Sequence, residues 1–468
     1  MFDWLNKLVA SCNPTDPGAA DGAAKTSAAK SSVNVISAAA SPAEGAPAAS
    51  PVSRMILLDR SAQILGYEFV SRSGLLGVRV ADPRHQLIND QLLVRTILAM
   101  GADRIAQFRQ IWLSVGELAL GGNLLDELPA KATLVLIRPG SGTASAEALQ
   151  QARQLRAKGF RFGLNGFADR DAYLEWLPLV DVVALDIGSY TPDELVATLD
   201  LLHERRTGLK VLARRIDSYE EYEYCMAKGF DSFSGRFLTY RESWPPQPSL
   251  NPDRVRLCNL LNELRNGAEL TDIAAGLKLS PELSYRFLRY INSAGMGTSS
   301  HIGSLEQGAL YLGREKLYRW LTLLLFSGGD GQPTDAALLE QALVRGRMME
   351  LMAGDQLPRI QREELFVTGV FSVLDVLLRV PIEIALRPLQ LPAPVTQAIL
   401  GEAGPYFRYL KLAKVCEECE GGDAALVSSE ESVAILAEGL GLSVAQVNQL
   451  HLDAVAWAQQ LQVTPTPG

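Results

Sequence analysis

The chain has 468 residues, more than one compact core usually absorbs, so two or more domains are expected. Hydrophobic residues at 47% and charged residues at 21% give an ordinary globular balance. A formal net charge of -9 leaves no counterion-release drive toward a phosphate backbone, which excludes a nucleic-acid polymer as the default partner.

Residues 1–13 carry Phe2, Trp4, Leu5, Leu8 and Val9, enough for a short amphipathic turn or two. Val9-Ala10-Ser11-Cys12 has the look of a lipoprotein cleavage box, but Asp3, Asn6 and Lys7 interrupt the apolar core that a signal peptide needs. An Ala/Ser/Pro-rich tract then runs to about Ala49, too poor in large apolar residues to bury a core, so residues 1–51 read as a tail. It is either a docking peptide on a leash or a frayed end. No run reaches the about 18 apolar residues of a membrane span; Leu321 to Phe326 is the densest short stretch.

From Val52 to about Trp244, short apolar runs alternate with helical periods. Met55–Leu58, Ile111–Val115, Leu134–Ile137, Phe160–Leu164, Val182–Ile187 and Lys210–Ala213 have strand length, with amphipathic Ser145–Lys158 and Pro192–Arg205 between some of them. That alternation predicts an α/β unit, a parallel sheet or barrel. Gly159 and Gly208 sit where helix caps belong. Trp244-Pro245-Pro246-Gln247-Pro248 cannot continue a helix or a central strand and reads as a linker. Beyond it, helical periods run to the end. Asn251-Pro252-Asp253 opens one helix, and Ser280-Pro281-Glu282 supplies the N-cap, first-turn proline and acid of another, so residues 245–468 are all-α.

The five cysteines are too few and odd in number for a disulfide framework. Cys416 and Cys419 form one CxxC, but a zinc site needs two more ligands and the chain has only four histidines, so chance spacing on a helix is the better reading. A reduced, cytoplasmic location is consistent. No GxGxxG, Walker A or GxSxG pattern is present.

Arg54-Met55-Ile56-Leu57-Leu58-Asp59 followed by Gly66-Tyr67-Glu68-Phe69-Val70-Ser71-Arg72 resembles the opening of EAL-domain proteins. Gly159 to Phe167, Leu179 to Asp186, Leu212 to Ser218 and Gly229 to Gly235 resemble later segments of that family, in order and at workable spacing, over residues 52–243. The helical half resembles HDOD domains, most strongly at Leu283 to Ala294 and Ile302 to Gly313, and Leu365 to Asp375 resembles the end of the same pairing. The resemblance implies a TIM-like (β/α) barrel followed by a helical HDOD domain in a bacterial signalling protein.

Active members of the family cleave cyclic di-GMP with two metal ions held by oxygen ligands at the barrel mouth. Transferred residue by residue, the resemblance leaves Glu68 and Asp186 as acids. Ser114 stands for an asparagine, Arg138 for a glutamate, Asn165 and Gly166 for two aspartates, Ala184 for a lysine, Arg214 for a glutamate and Ser234 for a glutamine. Arginine cannot deprotonate to make room for a cation, so the expectation is a degenerate barrel with no catalytic residues, no metal and no cofactor. None of His85, His203, His301 and His451 is followed by Asp, so the metal-binding pair of the HD hydrolases is missing as well.

Glu68, Arg138, Asn165, Asp186 and Arg214 remain as candidate ligand-contacting residues of the inherited pocket. The arginines read as a phosphate-matching fork or as structural ion pairs. The expected function is a non-catalytic scaffold that contacts sensor kinases or other regulators. A metal-independent cyclic di-GMP receptor and a residual phosphodiesterase are the alternatives.

Overall fold

A computed structural model describes residues 50–71, 83–140, 143–168, 171–239, 252–292, 301–327, 333–417 and 433–462. The amino-terminal tail, the proline-rich join at Trp244–Pro248, Cys419 and the loop at Gly295–Gly297 lie outside them.

Eight strands close into a barrel in sequential order: β1 (Val52–Asp59), β2 (Ile64–Ser71), β3 (Gln110–Gly116), β4 (Thr133–Arg138), β5 (Arg161–Asn165), β6 (Val182–Asp186), β7 (Lys210–Ile216) and β8 (Ser232–Gly235). Every strand-length run read from the sequence lies on one of them. Pairing is parallel from β2 to β8, but β1 runs antiparallel to both of its neighbours. This departs from the all-parallel expectation, and the cause is local. Only four residues join β1 to β2, whereas a parallel crossover needs a dozen or more. Asp59 closes the turn by accepting from the backbone N–H groups of Ser61 (2.8 Å) and Gln63 (2.9 Å).

Helices α1 (Pro83–Met100), α2 (Ala146–Ala157), α3 (Pro192–Arg205) and α4 (Tyr219–Lys228) lie between strands. Both α3 and α4 start on complete capping boxes, Thr191 with Glu194 and Ser218 with Glu221, which satisfy the first free N–H groups. Gly159 and Gly208 adopt φ of 108° and 80°, a left-handed backbone that only glycine takes without strain. The barrel lumen is filled by a small apolar cluster that includes Leu57, Trp112, Leu136 and Leu212, so it is a packed core and not a pore.

The helical half contains α5 (Pro252–Arg265), α6 (Pro281–Ile291), α7 (Asp335–Ala353), α8 (Arg359–Phe371), α9 (Phe407–Glu417) and α10 (Val444–Gln462), with further helices between them. The N-cap expected at Ser280 is formed, its side chain accepting from Leu283 N. Cys416 is buried in the last turn of α9. One apolar cluster runs without a break from the outer face of the barrel into the helical half.

A buried polar seam crosses that junction. Arg54 on β1 donates through Nε to His451 Nε2 on α10 at 3.3 Å. Burial, and then the Arg54 charge, depress the His451 imidazole from 6.5 to about 3. The folded state therefore rejects a proton that the unfolded state accepts. Its stabilising effect is complete above pH 6.5 and is lost as pH falls toward 3, by up to about 1.4 kcal/mol per pH unit. Denaturation midpoints at pH 7 and pH 5 should fall less steeply in His451→Gln, which keeps an acceptor for Arg54. Equal slopes in the two proteins would remove His451 from the acid response.

Candidate functional site

The parallel strands all end on one face, where successive strands each present one polar side chain: Glu68 on β2, Ser114 on β3, Arg138 on β4, Asn165 on β5, Asp186 on β6, Arg214 on β7 and Ser234 on β8. The barrel register sets them side by side, with Gly116 opposite Arg138 and Asp186 opposite Arg214. This is the end of a (β/α) barrel at which active sites form.

A continuous polar network joins all of them but Ser234. Arg138 pairs with Asp90 and donates to the backbone oxygen of Ser114 at 3.2 Å. Asn165 Nδ2 donates to Ser114 Oγ at 2.6 Å, and Asn165 Oδ1 accepts from Arg214 Nη1 at 2.6 Å. Arg214 Nη2 stands 3.0 Å from Glu68 Oε1 and its Nε stands 3.8 Å from Asp186 Oδ1. Arg215, with φ of 56°, turns its guanidinium to 3.5 Å from Asp186 Oδ2.

A cavity of about 390 Å³ opens at this mouth, lined by Glu68, Asp90, Ser114, Arg138, Asn165 and Arg214 among others. Four of the five candidates from the sequence therefore face one cavity. Asp186 does not line it and lies behind Arg214. Glu68 is 1% exposed, and burial raises its carboxyl above the ordinary range, with Arg214 pulling it down and Asp186 pushing it up. Ser234 Oγ is buried with no hydrogen-bond partner among the described residues.

Sequence reasoning missed the contribution of α1. Gln86, Asn89 and Asp90, at i, i+3 and i+4 on one helical face, form a wall of the cavity. Asp90 is 4% exposed and accepts from Gly116 N at 2.8 Å while it pairs with Arg138. The only available signal was an acid inside an otherwise apolar helical period, and that pattern also describes many solvated helix faces.

The donor chemistry decides whether two divalent cations fit. Such a pair needs several unencumbered carboxylates within reach of both ions. Here Glu68, Asp90 and Asp186 are each held by a guanidinium, so three acids are balanced by Arg138, Arg214 and Arg215. Among the described residues, no group of three or more His, Cys, Asp or Glu side chains could hold a metal ion. The residues present do not fit a two-metal centre.

An eight-stranded barrel followed by a helical half is the architecture that the resemblance to EAL-domain proteins implied. No family model matches the chain. It is similar to the Bacillus subtilis protein YuxH, at 23% identity over 418 residues, covering 88% of this chain and 98% of that protein. It is likewise similar to the Vibrio cholerae protein named cyclic di-GMP phosphodiesterase CdgJ, at 25% identity over 413 residues, covering 88% of this chain and 92% of the relative. Among solved structures, "PaMucR Phosphodiesterase, c-di-GMP complex" is 16% identical, with a TM-score of 0.35, covering 41% of this chain and 96% of that one.

No helix among the described residues is long and apolar enough to cross a membrane.

Proposed function

We propose that this chain is a non-catalytic regulator in cyclic di-GMP signalling, built from a barrel domain (52–244) and an HDOD-like helical domain (245–468), and that it works by contact with other signalling proteins. The observation that supports this reading is the Arg214 guanidinium 3.0 Å from Glu68, the one acid retained early in the family pattern. A positive charge held there opposes a cation, and each acid that might bind one is already neutralised.

A relative named for phosphodiesterase activity makes turnover the decisive measurement. The purified full-length chain, given cyclic di-GMP with magnesium or manganese, is expected to show no hydrolysis above the blank. Hydrolysis that disappears in Glu68→Ala would establish a residual phosphodiesterase and end the proposal.

A second reading is favoured by Arg138 and Arg214, which line the cavity with donors that match phosphate oxygens. On this reading the mouth holds cyclic di-GMP without metal. The cost is the exchange of existing ion pairs for new ones, so the net gain is small. Calorimetric titration of the same preparation without metal separates the two: saturable heat, lost in Arg138→Ala, favours the receptor, and none at high micromolar nucleotide favours the scaffold.

A further inference from the structure

The tight β1–β2 turn leaves the barrel without a crossover helix at that point, so the outward faces of β1 and β2 have no cover of their own. Their central residues are nevertheless buried, Arg54 to 1% and Tyr67 to 0% exposure. The cover comes from the far end of the chain. Tyr67 Oη donates to the Glu340 carboxylate of α7 and accepts from Gln459 Nε2 of α10 at 3.2 Å. Arg109, from the segment before β3, reaches Glu340 Oε2 at 3.4 Å. Arg54 Nη2 donates to Gln341 Oε1 of α7 at 2.9 Å, with its guanidinium 4.7 Å above the Tyr67 ring.

Successive strand residues point to opposite faces, so Tyr67 enters this seam while its neighbour Glu68 enters the mouth. The two ends of one peptide unit are thus anchored in different halves of the protein. Parting only some of these contacts would leave Arg54 or Glu340 buried without its partners, a state costly enough that the seam opens as a whole or not at all.

We propose that the helical half is the missing outer wall of the barrel and that the Tyr67–Glu340 seam couples it to the mouth: whatever loosens α7 and α10 loosens the strand that carries Glu68. This gives a contact made on the helical half a physical route to the polar network of the barrel, whether or not that network binds a ligand.

Amide hydrogen exchange on the full chain tests the coupling, with Tyr67→Phe as the variant because it deletes a single oxygen and keeps the ring. Peptides spanning residues 64–71 and 110–116 are expected to exchange about tenfold faster or more, together with α7 and α10. Peptides from β5 and β6, across the barrel, should keep their protection, which distinguishes seam opening from loss of global stability. Glu340→Gln, which keeps an acceptor but removes the charge, should reproduce the pattern more strongly. Coupling is also reciprocal, so Glu68→Gln should raise exchange in α7. If α7 and α10 open in both seam variants while β2 stays protected, or if nothing changes in either, the proposal is overturned.

Discussion

Replacing Arg214 with alanine is expected to cost about 3–5 kcal/mol of unfolding free energy at pH 7, because it strands a buried carboxylate. Glu68 is 1% exposed and Arg214 Nη2, 3.0 Å away, is its nearest counter-charge. The same guanidinium holds Asn165 Oδ1 and faces Asp186, so its loss also opens the network at its centre. The cost should shrink on acidification. Burial already raises the Glu68 carboxyl, and without Arg214 it rises further, so acidification neutralises the group more readily and reduces the penalty. Adding Glu68→Gln to Arg214→Ala should recover part of the loss at pH 7, since the neutral amide no longer demands a counter-ion. Urea denaturation of wild type, both single variants and the double variant at pH 7 and pH 5 measures all of this. An Arg214→Ala penalty below about 1 kcal/mol at pH 7 would mean that water reaches Glu68 and that the mouth is not self-neutralised.

Gly369→Ala is expected to be the most damaging small substitution in the helical half, at about 3 kcal/mol or more. A Cβ on Gly369, in α8, would lie 2.5 Å from the Gly346 Cα and 2.6 Å from the Gly346 nitrogen of α7. One on Gly346 would lie 2.7 Å from the Phe366 backbone oxygen. Backbone atoms cannot rotate away as side chains do, so the helices must separate along their length, in an interior where small gaps already matter. Helix α7 carries Glu340 and Gln341, and the displacement therefore reaches the seam with β1 and β2. A thermal melt reads the effect directly, and a Gly369→Ala protein as stable as wild type would show that the two helices are not in backbone contact.

The division between what sequence and structure each determined follows physical range. Period-two and period-3.6 patterning is local, and it located six of the eight barrel strands, β1 and β3 to β7, and the helices at Ala146–Ala157 and Pro192–Arg205. Caps are local too, and Ser280-Pro281-Glu282 begins a helix as its residue types require. The residues of the mouth were legible through family likeness, because each occupies a strand end and strand ends are fixed by the same short patterns.

Asp90 was not legible. Its role depends on α1 lying across the mouth and meeting Arg138, 48 residues later, and no local pattern encodes that meeting. The inversion of β1 was within reach of a length argument over residues 60–63, which the strand–helix alternation obscured.

By itself, then, the sequence determined where most strands of the barrel and several of its helices lie, and that arginine, amide and hydroxyl side chains stand at the strand ends beside Glu68 and Asp186. Only the tertiary structure decided how those groups pair with one another, and that the far helices close the open flank of the barrel. Pairings such as Tyr67 with Glu340 join residues 273 positions apart. Each partner's loss of water is offset only by the other, in an interior that strengthens their bond, and no single stretch of chain supplies both.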